Sequence, residues 1–138
     1  MALPNGAGGY QVGDGNLSEL TIGYGSEPLS VAATATLTAA QVTAGMLLVG
    51  SGATSAQTYT LPAASLIDAI VTSAKPGSTF DLNVINLGTS SGTAALAMGT
   101  GTGFTDGGNA AVVVAITSSA LFRFRSTAAG AWTVYKVA

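Results

Sequence analysis

Histidine and cysteine are both absent from this 138-residue chain, so any acid–base or metal chemistry must come from six acidic and four basic side chains. Serine and threonine are abundant, which makes a hydroxyl nucleophile the first chemistry to consider. Without imidazole no Ser-His-Asp relay can form, and a lysine base would have to be desolvated beside its serine. Lys75 stands in a turn-like Lys-Pro-Gly context and Lys136 at a strand end, and neither context supplies that desolvation. Paired carboxylates could cleave a glycosidic bond if two stood about 5–9 Å apart. Asp68, Asp81 and Asp106 are the candidates in the body of the chain, and nothing in the sequence places any two of them at that distance. Structural roles account for each. Asp68 is expected on the polar face of a helix, Asp81 on the solvated side of a strand, and Asp106 in a turn whose amides it binds. The three show neither calcium-loop spacing nor any thiolate or imidazole neighbour, which excludes zinc in its usual ligand sets. Gly99, Gly101 and Gly103 have the look of a phosphate-cradling loop, but Phe104 and a turn follow them where a helix is required. No catalytic residue, metal ligand or cofactor is assigned, and the chain is expected not to be an enzyme.

The same scarcity of charge defines the broad class. Charged residues make up 7% of the chain, against about 25% in ordinary soluble domains, which suits a protein whose work is to be a surface. Asp14, Glu19 and Glu27 give the first 28 residues three negative charges and no positive ones. The remainder sets Asp68, Asp81 and Asp106 against Lys75, Arg123, Arg125 and Lys136. No basic stripe is available to neutralise a run of phosphates, so nucleic acid is not an expected ligand. The opening MALPNGAGGY lacks the charge and apolar core of a secretory signal, and no apolar run of about 18 residues occurs. The expectation is a soluble product, not exported by a cleaved signal and without a membrane partner. Lack of cysteine is compatible with a reducing compartment. The glycosylation acceptor spelled by Asn16, Leu17 and Ser18 is read as a chance occurrence.

The elements that would carry these residues divide the chain in two. Residues 1–28 hold seven glycines and two prolines, with Tyr10, Val12, Leu17, Leu20, Ile22 and Tyr24 scattered at no sustained period. Such a stretch cannot build its own core, yet freely solvated linkers are Ser, Glu and Lys rich. It is therefore predicted to be an extended arm that orders against a partner, with those six side chains as apolar anchors.

From residue 29 onward the pattern is that of a β-domain. Val31 to Leu37 alternates as a strand, Thr38 caps a helical turn over Ala39–Ala44, and Gly45 provides a left-handed exit. Met46–Val49 and Gln57–Leu61 read as short strands around a Gly50–Ser55 loop. Pro62 opens the one convincing helix, with Leu66, Ile67, Ile70 and Val71 on a single face. After the Lys75-Pro76-Gly77 turn, Thr79–Leu87 directs Phe80, Leu82 and Val84 to one side. Gly88–Gly92 is expected to be a hairpin connection to strand Thr93–Met98, and Asp106–Asn109 a turn leading into strand Ala110–Thr117. Ala120–Ser126 and Trp132–Val137 form the closing hairpin around Gly130. Phe122 and Phe124 share one face of its first strand, opposite Arg123 and Arg125, which could pair with acids of a neighbouring subunit. The fold class predicted is all-β: a compact sandwich or barrel-like domain with one short helix and an extended N-terminal arm. Its small side chains bury limited area, so a lone monomer is expected to be marginal.

Five segments carry a family resemblance over nearly the whole chain: LPNGAGGYQVGDGN in the arm, then ATATLTAAQVTAGMLLVG, TYTLPAASLIDAI, STFDLNVINLG and the closing AWTVYKV. Together they resemble the small capsid decoration, or cement, proteins of tailed bacteriophages, including those that infect cyanobacteria. The resemblance implies a structural virion protein, made in the host cytoplasm and bound to the outer capsid surface as a homotrimer, that strengthens the shell against internal pressure. The partners it implies are the major capsid protein and neighbouring decoration subunits. By the same analogy the arm would reach over capsid subunits or an adjacent trimer. Two other readings are kept beside it: a tail-fibre or receptor-binding tip domain, and a carbohydrate-binding module built on an exposed aromatic platform.

Overall fold

The computed structural model describes residues 27–98, 102–111 and 113–138. Among them are nine strands and two short helices, so the protein is mainly β, with two helices where one was expected.

The first strands show how the chain is laid down. Strand β1 (Leu29–Val31) and strand β2 (Ala35–Thr36) replace the single strand predicted from Val31 to Leu37. Alanine and threonine alternate here without a large side chain to commit either face, and the chain bends between two sheets. The bend is pinned by Gln57, whose Oε1 accepts from the Thr34 amide at 2.7 Å and the Thr34 hydroxyl at 2.9 Å. Helix α1 (Ala39–Thr43) follows as predicted. Thr38 and Gln41 cap each other reciprocally, Val42 is buried, and Gly45 leaves the helix at φ +85°. Strand β3 (Met46–Val49) then lies parallel to β1, and strand β4 (Gln57–Thr60) parallel to β2.

Helix α2 (Ala64–Ile70) starts two residues beyond Pro62, after an Ala63 cap that makes no side-chain bond. The Leu61 amide still donates to the Ala97 carbonyl at 3.0 Å, so the chain is held in the sheet up to the proline. The predicted four-residue apolar face divides. Ile67 is fully buried and Val71 packs on the core, but Leu66 is 53% and Ile70 49% exposed. Residues 66 and 70 share one helical face and 67 and 71 the next, about 100° round the axis.

Strand β5 (Thr79–Asn86) buries Leu82 and Val84 as expected. The next connection corrects a prediction, because Gly88–Gly92 is not a hairpin. Strand β6 (Ala94–Ala97) joins the other sheet, parallel to β4. The reason lies in Asn86, which is buried and ties the loop inward. Its Oδ1 accepts from the Gly88 amide at 2.7 Å, and its Nδ2 donates to the carbonyls of Gly92 (3.2 Å) and Val114 (2.9 Å). A second correction concerns Asp106–Gly108, which end strand β7 (Phe104–Gly108) where a turn was predicted. The described residues of the predicted strand Ala110–Thr117 form no strand either. They make one bridge, Val114 to Ala94, and lie between Asn109 and Thr117, both left-handed, at φ 55° and 53°. Those two residues break an extended ladder at each end.

Strand β8 (Ser119–Ala128) and strand β9 (Ala131–Lys136) form the predicted hairpin, with Gly130 at φ +68° in its tip. The large sheet has the order β1-β3-β5-β8-β9-β7 and the small one β2-β4-β6. From β1 to β6 the chain alternates between the two sheets, three passes in all, and every pairing those passes make with one another is parallel. The C-terminal hairpin then extends the large sheet in antiparallel fashion. One hydrophobic cluster draws on both sheets and both helices, with Leu47, Leu82, Phe122 and Val134 from one sheet and Tyr59 and Leu96 from the other. Phe80 stacks on Phe124 at 4.7 Å between centroids and meets Trp132 edge-on at 5.3 Å.

Candidate functional site

The three aspartates of the body each have a structural task. Asp68 projects from α2 to the tip of the β8–β9 hairpin, where it accepts from Trp132 Nε1 at 2.7 Å and from the Gly130 amide at 2.5 Å. Its expected place is the polar face of the helix, and nothing in the sequence signals this partner. Trp132 is itself buried, and a buried indole N–H needs an acceptor. Asp106 behaves as predicted in kind, accepting from the amides of Gly108 (2.8 Å) and Ala110 (3.1 Å), although from the end of a strand.

Asp81 faces Arg123 directly across β5 and β8, and the guanidinium grips the carboxylate with two bonds of 2.8 and 2.7 Å. The bond from Arg123 holds the Asp81 carboxyl below its ordinary range, and Asp81 in turn raises Arg123. An intersubunit role for Arg123 would have to compete with this pair. Arg125 lies two residues along the same exposed face, opposite Thr79, and makes no ion pair among the described residues. Tyr59 is a further buried polar group. Its hydroxyl donates to the Val31 carbonyl at 3.2 Å, and burial pushes its pKa up.

The described residues contain no group of three or more carboxylates that could hold a metal ion. They leave no buried side-chain polar atom unpaired. No helix among them is long and apolar enough to cross a membrane. The remaining capacity is for contact. The large apolar side chains exposed among the described residues are Leu29, Leu66, Ile70, Leu87, Val113 and Val137, and all six are aliphatic. Among the described strands, β1 and β7 end the large sheet and β2 and β6 the small one, with β6 bridged on its outer side by Val114.

Two grooves accompany these side chains. One, of about 600 Å³, lies at the loop held by Asn86 and is lined by Ile85, Leu87, Thr89, Thr117, Ser118 and Ser119 among others. The second, of about 380 Å³, is bounded by Glu27, Leu29, Ala40, Thr43, Ala44 and Ile70, where β1, α1 and α2 meet. The predicted arm anchors Tyr10, Val12, Leu17, Leu20, Ile22 and Tyr24 lie outside the described residues. Sequence reasoning missed Asn86 and the outward pair Leu66 and Ile70. An Asn two residues before a glycine is a turn signal that could have flagged the first. Comparison with known proteins found no matching family model, no similar curated protein and no similar solved structure.

Proposed function

We propose that this chain is a structural virion protein that binds the outer surface of a phage capsid and stabilises it as a homotrimeric cement or decoration protein. The observation that carries the reading is the character of the surface: six large aliphatic side chains exposed among the described residues of a chain with ten charges in all. Such a surface favours burial against protein, where apolar contact and strand addition supply the attachment. The fine architecture is read in the same way. A single core drawn from both sheets supports a compact sandwich, with the parallel passes as its body and residues 1–28 as the capsid-contacting arm.

The exposed aliphatic set also favours cement over a glycan-binding module or a fibre tip. Those would stack sugars on exposed aromatic rings, whereas Trp132, Phe122 and Phe124 are buried. Removing residues 1–28 tests the assignment of the arm. The truncated body is expected to remain folded by circular dichroism and to lose occupancy on phage heads. Undiminished occupancy would take the arm out of the mechanism.

A further inference from the structure

The outer face of the large sheet carries a pattern set by strand register. Leu47, Leu82, Phe122 and Val134 point into the core, where both helices and the small sheet also pack. The residues that alternate with them therefore point the other way. At one end of this face Arg125 stands between Thr79 and Thr133, and Arg123 between Asp81 and Tyr135. At the other end come Met46, Asn83 and Leu121, then Leu48, Ile85 and Ser119. Met46, Leu48, Ile85 and Leu121 are each partly exposed. Val137, 51% exposed, lies beside Leu121, whose carbonyl accepts its amide at 2.9 Å. Leu87, 42% exposed, lines a groove together with Ile85. The face is thus charged and hydroxylated at one end and aliphatic at the other.

This division follows the strand pairing. The aliphatic end is centred on β3 and β5, which are parallel, and the charged end on the antiparallel strands β5, β8 and β9. Parallel sheets occur almost only with both faces covered, whereas antiparallel ones tolerate water on one. Strand β3 is apolar at every position, Met46-Leu47-Leu48-Val49, which is the pattern of a strand buried on both sides.

Shape, charge and extent favour a second copy as the cover. A pleated face is matched by another sheet, and two sheets pack about 10 Å apart with their strands within about 30°. Asp81 and Arg123 neutralise each other within one chain, which leaves Arg125 as the unpaired charge among the described residues of this face. Such a face has little field to draw a charged foreign partner. A two-fold axis through the aliphatic rows sends the two Arg125 side chains to opposite rims, giving an apolar centre with a polar border. From Asp81 to Leu87 and from β3 to β9 the face measures about 20 Å by about 19 Å, or about 400 Å² in projection. Side chains standing out of the pleat raise the accessible area above that, toward the about 800 Å² per partner of a standard interface. An area at this small end suits a reversible dimer.

We propose that a second copy of this chain packs on this face about a two-fold axis, with Met46, Leu48, Ile85, Leu87, Leu121 and Val137 at the centre of the contact. The pairing does not rest on the function proposed above, and it leaves threefold contacts to other surfaces.

The native chain has no cysteine, so single substitutions read the contact cleanly. Leu121→Cys in the full-length chain, treated with a short bismaleimide, is expected to give covalent dimers at high protein concentration and few after dilution. Arg125→Cys, at the far end of the same face, should stay largely uncross-linked. In sedimentation the wild-type chain should associate reversibly as its concentration rises. Leu121→Arg and Val137→Arg should keep the native far-UV circular dichroism and associate about tenfold or more weakly. Cross-linking at Arg125→Cys equal to that at Leu121→Cys would overturn the proposal, as would association unchanged in both arginine variants. A wild-type chain that stays monomeric at every concentration would overturn it in favour of cover by the same chain or by a foreign surface. These measurements use the free protein, so a chain that binds no phage head can still pass them.

Discussion

Replacing Asp68 by alanine leaves two donors without their acceptor, Trp132 Nε1 and the Gly130 amide. Hydrogen bonds to a charged group are worth about 1.5–3 kcal/mol each in such settings. Asp68→Ala is therefore expected to lose about 2–3 kcal/mol in urea unfolding and Asp68→Asn less, because an amide oxygen still serves one donor. An unchanged midpoint for Asp68→Ala would remove the clamp from the account. The Asp81–Arg123 pair carries a prediction in pH. The folded-state pKa of Asp81 is depressed from its ordinary value of 3.8 by Arg123. Its contribution is thus present above that value and is lost as pH falls through the lower folded one. Asp81→Asn should flatten that part of the acid-unfolding profile and leave stability near neutral pH little changed, since an exposed pair is weak and salt-screened. A profile identical to wild type below pH 4 would contradict the pairing. At this scale the residue types were legible, since the absence of histidine and cysteine needs no structure. Partner identity was not: nothing local joins Asp68 to a tryptophan 64 positions away.

At the scale of elements, glycine positions separate backbone strain from collision. Gly103 has φ +85°, and a Cβ there would collide with the Gly130 carbonyl oxygen, whereas Gly52, at φ +73°, has nothing within 4 Å. Gly52→Ala should cost about 1–2 kcal/mol, the strain of a left-handed residue. Gly103→Ala should cost clearly more, because the obstacle is backbone of the β8–β9 hairpin tip. Equal losses in chemical denaturation would refute that close approach. The elements read correctly from sequence are those with their own local signal: the Thr38 cap, the long apolar alternation of β5, and the aromatic hairpin β8–β9. The errors fall where the signal was weak or shared. Alanine–threonine alternation did not reveal that β1 and β2 belong to different sheets. A glycine-rich loop was taken for a hairpin because its tie, Asn86, bonds to residues up to 28 positions distant. The valine run at 110–117 looked like a strand, but left-handed residues bound it on both sides.

For the whole molecule, the core is not the small-residue one that composition suggested, since Trp132, Tyr59, Phe122 and Phe124 are fully buried in it, and the apolar area still to be covered among the described residues lies on the exposed aliphatic side chains. That logic ties the exposed aliphatic side chains and the proposed trimer to a single expectation: the protein is completed by contacts with itself and with a host lattice. Because charge is sparse, attachment should weaken little between low and high salt, in contrast to a binder that relies on a basic patch. A steep loss of binding with salt would point to a different interface. That the chain is mainly β was visible from composition and alternation. The order of the strands was not, since parallel pairing between passes depends on contacts remote in sequence. The most direct measurement of the central claim is the occupancy and rupture temperature of empty, expanded phage heads incubated with the purified full-length chain. Saturable binding with a raised rupture temperature is the predicted result; heads that take up no protein and rupture at the same temperature would contradict it.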